Sequence, residues 1–302
     1  MTTTSSGGVL GQAHTDVDGI PVVWIPPDNQ DGDARVALWL PWLSGTKEAA
    51  IPFLRELAGR GFTAVSFDPW QHGERGTETA EQLFGRVFGD FRRHMWPILG
   101  QTTLDALRVA DWAAAEFGAR DVAAGGVSMG GDIAVALAGI DQRINRVAAI
   151  VATPDWTRPG MRDLRDPSRV LPQGEPDAYA QWFYNHLDPL SHLSHYAHAP
   201  AIAFECGADD THVPPDGALR FRDALAKDYP NAAGGVRVTL HPGTGHMDSA
   251  QKHELFQNCL AWLAGDHTRP RCTSASPRPR ISSPSTASIP REAEPPRPFG
   301  QR

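Results

Sequence analysis

Residues 123–137 read AAGGVSMGGDIAVAL, and the rest of the chain is arranged around their centre. Gly126-Val127-Ser128-Met129-Gly130 fits a G-x-S-x-G turn, in which a strand ends, the chain turns sharply with serine at the apex, and a helix begins. So strained a turn leaves no space for a bulky side chain on either flank, and the further glycines Gly125 and Gly131 allow strand and helix to approach closely. Upstream, residues 120–124 read as a short apolar strand; downstream, 132–138 read as a helix of small residues packed behind it. A chain with 29 glycines also produces such a pattern by chance, so a glycine-rich strand–helix turn is the alternative until partners for the serine are found.

The chain as a whole narrows the function classes. Its 302 residues are 41% hydrophobic and 21% charged, ordinary for a soluble globular enzyme with one sizeable core. A net charge of -7 supplies no electrostatic basis for binding nucleic acid or an anionic membrane. There is no run of 18 apolar residues, and the opening MTTTSSGGVLGQ has neither the basic nor the apolar segment of a signal peptide, so a cytoplasmic protein is expected. Cys206, Cys259 and Cys272 are odd in number and scattered, which argues against a disulfide framework and a structural zinc site.

Taken in order, residues 1–15 are small and polar and read as disordered. Strands follow at 20–25, 35–40 and 62–67, with a helix over 47–60 that Gly61 ends. The aromatic region 76–100 carries no assignable period; a helix over 101–117 leads to the elbow strand and its helix, then a strand at 147–151. The rhythm breaks between about 155 and 199, where Pro, His, Trp and Tyr are dense, and this insertion is expected to form a small cap over the carboxyl edge of the sheet. It resumes with a strand at 201–206, a helix at 215–227, a strand at 236–240 and a final helix at 249–264. From 266 the composition collapses: residues 267–302 hold eight prolines and seven Arg against two Glu, and this tail is expected to be disordered. Strands alternating with helices of this length specify a doubly wound, mainly parallel α/β sheet, here spanning about 16–265.

A serine hydroxyl is a weak nucleophile near neutral pH and needs a base to take its proton and a carboxylate to hold that base in the right tautomer. Behind a G-x-S-x-G turn those partners come later in the chain, acid before histidine, each at the carboxyl end of a strand. The strand at 201–206 runs into Gly207-Ala208-Asp209-Asp210-Thr211-His212-Val213-Pro214, and that at 236–240 into His241-Pro242-Gly243-Thr244-Gly245-His246. With these residues in order, the chain resembles the α/β-hydrolase superfamily, whose acid loop commonly reads Gly-x-x-Asp-x-x-Val-Pro. The resemblance implies Asp210 as the acid, with Asp209 the fallback, His246 as the base, and Ser128 as nucleophile.

The developing oxyanion needs donors, typically worth ~3 kcal/mol each. The resemblance implies the backbone N–H of Met129 as one. The other comes from the loop after the strand ending at Leu40, where Pro41-Trp42 stands in place of the family's usual His-Gly and shifts the second donor to Leu43. A helix ending LAGRGF and the phrase Asp68-x-x-x-His72-Gly73-Glu74-Arg75 are similar to esterases and peptidase-like hydrolases of the dienelactone-hydrolase and prolyl-oligopeptidase type, in which His72 and Arg75 would support the loop. Ser128 departs from true dienelactone hydrolases, which carry Cys there.

The remaining candidates are weaker. His192, His195 and His198 fall three apart but no acidic residue completes a ligand set, so no metal is expected; no dinucleotide motif or other cofactor signal is present. His212, two residues after the proposed acid, is a candidate for the pocket border, but an exposed loop histidine is the favoured reading. Trp42, Trp156 and Trp182 are candidate walls of a substrate pocket. The sequence thus points to a serine hydrolase acting, without cofactor, on a carboxylic ester or lactone of a small molecule, with no nucleic-acid or membrane partner and no signal bearing on oligomeric state. A carbon–carbon bond hydrolase of the diketone kind with the same triad, favoured if the cap presents polar groups to a second carbonyl, and a non-catalytic binding protein on the same fold are the alternatives.

Overall fold

Strands that are apolar on both faces need a helical layer on each side, and this requirement sets the architecture. The computed structural model describes residues 11–29 and 33–266. The first ten residues, the Pro/Ser/Arg-rich tail beyond Asp266 and Cys272 lie outside the described residues. The elements run β1 (Ala13–Val17), β2 (Ile20–Ile25), β3 (Val36–Leu40), α1 (Ile51–Ala58), β4 (Thr63–Phe67), α2 (Ala80–Gly89), α3 (Phe91–Phe117), β5 (Val122–Val127), α4 (Met129–Ile140) and β6 (Arg146–Ile150). They continue with α5 (Ala178–Leu187), β7 (Ala201–Gly207), α6 (Asp216–Asp228), α7 (Pro230–Ala233), β8 (Val236–His241), α8 (His246–Gln251) and α9 (His253–Ala264).

Among the described residues these strands form one sheet of eight, ordered β1-β2-β4-β3-β5-β6-β7-β8. β2 lies antiparallel to β1 and β4, and from β4 onward all pairings are parallel. The alternation of side chains along each strand divides the core in two. Val36, Leu38 and Leu40 of β3 belong to the core cluster that holds residues of α3, α4 and α6, whereas Ala37 and Trp39 belong to the one that holds residues of α1 and α9. Trp39 anchors that second layer, its ring 4.9 Å from Phe256 and 5.5 Å from Phe53. This is the doubly wound, mainly parallel sheet expected. No helix among the described residues is long and apolar enough to cross a membrane.

The differences from the sequence reading have local causes. Ala13–Val17, AHTDV, falls partly inside the stretch read as unstructured, yet pairs in register with β2 as an edge strand. Its mixed polarity offers no alternation to read. The region without a period becomes α2 and the start of α3, which runs 27 residues straight through Pro97. Gly100, inside that helix, is a packing device: a Cβ there would collide with the ring of Phe183 on α5. The expected final helix is split at Lys252, whose extended backbone separates α8 from α9. The long connection from β6 to β7 holds α5 and a single 3-10 turn, Leu193–Tyr196.

Because Trp39 is 1% exposed at the centre of an aromatic cluster, Trp39→Ala should lower stability by about 3–5 kcal/mol and the thermal midpoint by roughly 10 °C. Chemical and thermal denaturation measure both, and a loss below ~1 kcal/mol would contradict this packing.

Candidate active site

At the end of β5 the chain enters the elbow. Ser128 has φ 54 and ψ -119, a conformation that L-residues avoid. Its amide donates to the Ile150 carbonyl at 2.8 Å and its carbonyl accepts from Asp132 at 3.0 Å, so the strained residue is gripped from the neighbouring strand and from its own helix. The flanking glycines are required by space. A Cβ on Gly126 would lie 2.5 Å from the Gly130 carbonyl carbon and 2.6 Å from the Leu40 carbonyl oxygen, and one on Gly130 would strike that same oxygen.

The acid loop leaves β7 and turns Asp210 inward, while Asp209 stays exposed. Asp210 is 3% exposed. Its Oδ1 accepts from the amides of His212 (2.9 Å) and Val213 (2.8 Å), and its Oδ2 accepts from His246 Nδ1 at 2.7 Å. The two amides aim the carboxylate, and the donation from Nδ1 fixes the imidazole tautomer so that Nε2 carries the free lone pair. His246 opens α8 directly after Gly245.

Ser128 and His246 line one cavity of about 580 Å³. Its walls are mainly apolar: Phe84, Phe88 and Met95 from α2 and α3, Pro52 and Phe53 from α1, and Phe256 from α9. Leu43 lines it, and Met129 is the first residue of α4, where the backbone N–H has no partner within its helix. Trp42 lines it as expected. Trp156 and Trp182 do not. Trp156 is fully buried, its carbonyl accepting from the Trp96 indole at 2.9 Å. Trp182 lies 46% exposed on α5, stacked on His186. An aromatic inside an irregular insertion carries no pattern that assigns it to core, cavity or surface.

Behind Leu43, a buried ion cluster ties the loop after β3 to the loop after β4. Asp68, fully buried, accepts from the Lys47 amide at 2.9 Å, from Lys47 Nζ at 3.0 Å and from the Glu74 amide at 3.0 Å. Burial pulls the Lys47 ammonium down, but the hydrogen bonds it donates to Glu48, Glu74 and Asp68 outweigh it and hold its pKa above the usual lysine range. His72 donates from Nδ1 to the Trp70 carbonyl at 2.8 Å, and Arg75 bridges the Asp68 carbonyl (3.1 Å) and Asp105 (2.7 Å). Lys47 escapes sequence reading because a lysine at the start of a helix normally reads as exposed.

Two buried polar residues, Arg158 and His212, also line the cavity, beside the less buried Glu56, Gln251, Lys252 and His253. Arg158, from the β6–β7 connection, is ion-paired to the buried Asp132 of α4, whose Oδ1 accepts from the Thr153 amide at 2.7 Å. Burial raises the Asp132 carboxyl from its ordinary value, with Arg158 and the Thr153 amide opposing. His212 is not an exposed loop residue: it is 5% exposed, its Nδ1 donates to the Arg162 carbonyl at 2.9 Å, and its ring centre lies 5.0 Å from that of His246. Burial, with the neighbouring His246 second, pushes its pKa down to about 4. The unfolded chain therefore binds a proton that the folded chain refuses between about pH 6.5 and 4, and stability falls as pH drops through that window. In His212→Gln the stability lost between pH 7 and pH 4.5 should shrink by roughly 2–3 kcal/mol. Denaturant titrations at the two pH values measure it, and equal losses in both chains would contradict a neutral, buried His212.

Comparison with known proteins agrees with this architecture. The family model described as the prolyl oligopeptidase family matches residues 85–267, more than half of the chain and the whole of the region carrying Ser128, Asp210 and His246. No curated protein matches the chain. Among solved structures, TT1662 from Thermus thermophilus superposes with a TM-score of 0.62 at 21% identity, covering 88% of this chain and 98% of that one. A puromycin-hydrolyzing peptidase from Mycobacterium tuberculosis gives 0.61 at 15% identity, covering 86% of this chain and 40% of that one. Est1E from Butyrivibrio proteoclasticus, solved with ferulic acid bound, gives 0.56 at 15% identity, covering 83% and 98%. These likenesses are of fold. The family match rests on the sequence itself, and by it the chain belongs to the prolyl oligopeptidase family of α/β-hydrolases.

Proposed function

We propose that this protein is a serine hydrolase that cleaves a carboxylic ester or lactone of a small molecule through an acyl-enzyme on Ser128. The observation that carries the reading is the buried 2.7 Å hydrogen bond from His246 to Asp210 beside a cavity that His246 shares with the elbow serine. His246 Nε2 takes the proton of Ser128 Oγ as that oxygen attacks the substrate carbonyl carbon. The carbonyl π electrons move to oxygen, which the amides of Met129 and Leu43 receive. Asp210 holds the imidazolium without taking its proton. When the carbonyl re-forms, the C–O bond to the leaving alcohol breaks and the alcohol departs with the proton from His246. Water then repeats the sequence against the acyl-enzyme and releases the acid. An alcohol leaving group asks for nothing beyond this apparatus, and the apolar walls suit an uncharged ester.

A second reading, cleavage of a carbon–carbon bond beside a second carbonyl, draws support from Arg158 and His212, which bring polar groups into the cavity. A panel of p-nitrophenyl esters, aryl lactones and 1,3-diketones separates the two. The expected outcome is ester or lactone turnover that falls by about 10³-fold or more in Ser128→Ala and in His246→Ala, with both variants folded. Diketone cleavage without ester turnover would transfer the assignment to the second reading. Turnover that survives Ser128→Ala would remove both.

A further inference from the structure

Arg158 is built into the cavity wall in a way that folding alone does not explain. Its side chain is 2% exposed, yet the residue lines the same cavity as Ser128 and His246. Its backbone lies at φ 41, a strained conformation for arginine. That backbone is held in place: its carbonyl accepts from Gln173 Nε2 at 2.8 Å and from the Met161 amide at 3.1 Å. The guanidinium lies 5.2 Å from the centre of the Phe91 ring and contacts Asp132 through Nη2. Nε is buried with no hydrogen-bond partner among the described residues. A guanidinium has five N–H donors, and a buried donor left unpaired costs free energy that a bound acceptor recovers.

We infer that Arg158 is a specificity-determining residue that receives a second, uncharged oxygen acceptor of the substrate, such as a ketone, ester or amide carbonyl, in the cavity arm walled by Phe84, Phe88 and Met95. Charge balance in the cavity favours an uncharged group. Arg158 already has its counter-ion in Asp132, so what its Nε–H lacks is an acceptor. A carboxylate would bring a net negative charge into a largely apolar space, and its desolvation would oppose binding. The buried His212 adds no cation to offset it, since burial keeps its imidazole neutral above about pH 4, and Lys252, which also lines the cavity, is exposed and lies 3.6 Å from Glu254. This inference rests on the hydrolase reading for the identity of the scissile bond, but the binding it describes does not require turnover.

The test uses equilibrium binding to the full chain carrying Ser128→Ala, so that esters stay intact. Calorimetry compares phenyl hexanoate with its 4-oxo and 5-oxo analogues and with the analogue ending in a carboxylate. A parallel series carries the same groups in the alcohol half. In one of the two series an oxo ester should bind about tenfold tighter than its parent, a margin expected of one hydrogen bond from a charged donor, and the carboxylate should bind no tighter than the oxo ester. Two backgrounds remove the donor. Arg158→Lys keeps a partner for Asp132, but its ammonium is drawn onto that carboxylate. Arg158→Met with Asp132→Asn removes both charges together. In each the oxo preference should fall to within about twofold. Parent and oxo esters binding alike, a preference that persists in both backgrounds, a carboxylate bound tenfold tighter than the oxo ester, or no binding by any member would each overturn the inference. If the Ser128→Ala chain shows the preference while the unaltered chain hydrolyses none of these esters, the hydrolase reading fails and the role of Arg158 stands.

Discussion

The backbone of Ser128, held at φ 54 and ψ -119, is the constraint on which the rest of the structure depends. A single residue in that region costs about 1–3 kcal/mol, so the surroundings must over-determine it. They do so with the Ile150 carbonyl on one side, the first turn of α4 below, and the Leu40 carbonyl packed against Gly126 and Gly130. The same close packing brings the loop after β3, with Leu43, to the N-terminus of α4. The strain at Ser128 and the placement of Leu43 beside the start of α4 are therefore two results of one contact. Strand order completes the site. β5 lies at the centre of the parallel run with β6, β7 and β8 in sequence beside it, so the carboxyl ends of β7 and β8 deliver Asp210 and His246 to the same edge.

Charge is buried at two points around this edge. Lys47 and Asp68 fasten the loop that carries Leu43 to the loop after β4, and Arg158 and Asp132 fasten the β6–β7 connection to α4. Buried pairs of this kind add little net stability, because desolvation offsets most of their attraction. Their effect is positional. The first ties two irregular loops together, the second ties an irregular loop to a helix, and Arg158 of the second lines the cavity in which Ser128 lies. Between them, aromatic and aliphatic side chains supply walls without hydrogen-bonding groups, so the few polar atoms that reach the cavity set the orientation of what binds there.

Much of this could be read from the residues alone, and the reason is local. The elbow needs glycine at both flanks of Ser128, the acid loop needs a short turn that presents amides to Asp210, and His246 follows a glycine at a helix start. Each demand falls within a few neighbouring residues and leaves a pattern. The parallel strands were equally legible, because burial on both faces leaves continuous apolar runs. What escaped reading depends on distant partners. β1 exists because β2 offers an edge, α3 runs through Pro97 and Gly100 because α5 packs against it, and Lys47 is buried because Asp68 and Glu74 arrive from another loop. His212 and Trp156 differ from the expectation for the same reason, since burial of an isolated residue in an irregular segment is decided by what folds over it.

If Ser128, His246 and Asp210 act as one nucleophilic unit, a fluorophosphonate serine probe will label the native chain at the elbow. Intact-mass analysis of the native chain should reveal a single adduct that peptide mapping assigns to Ser128. The adduct should be absent in Ser128→Ala and form far more slowly in His246→Ala and Asp210→Asn. A folded native chain that takes up no probe, or that is labelled at another residue, would rule out Ser128 as the activated nucleophile.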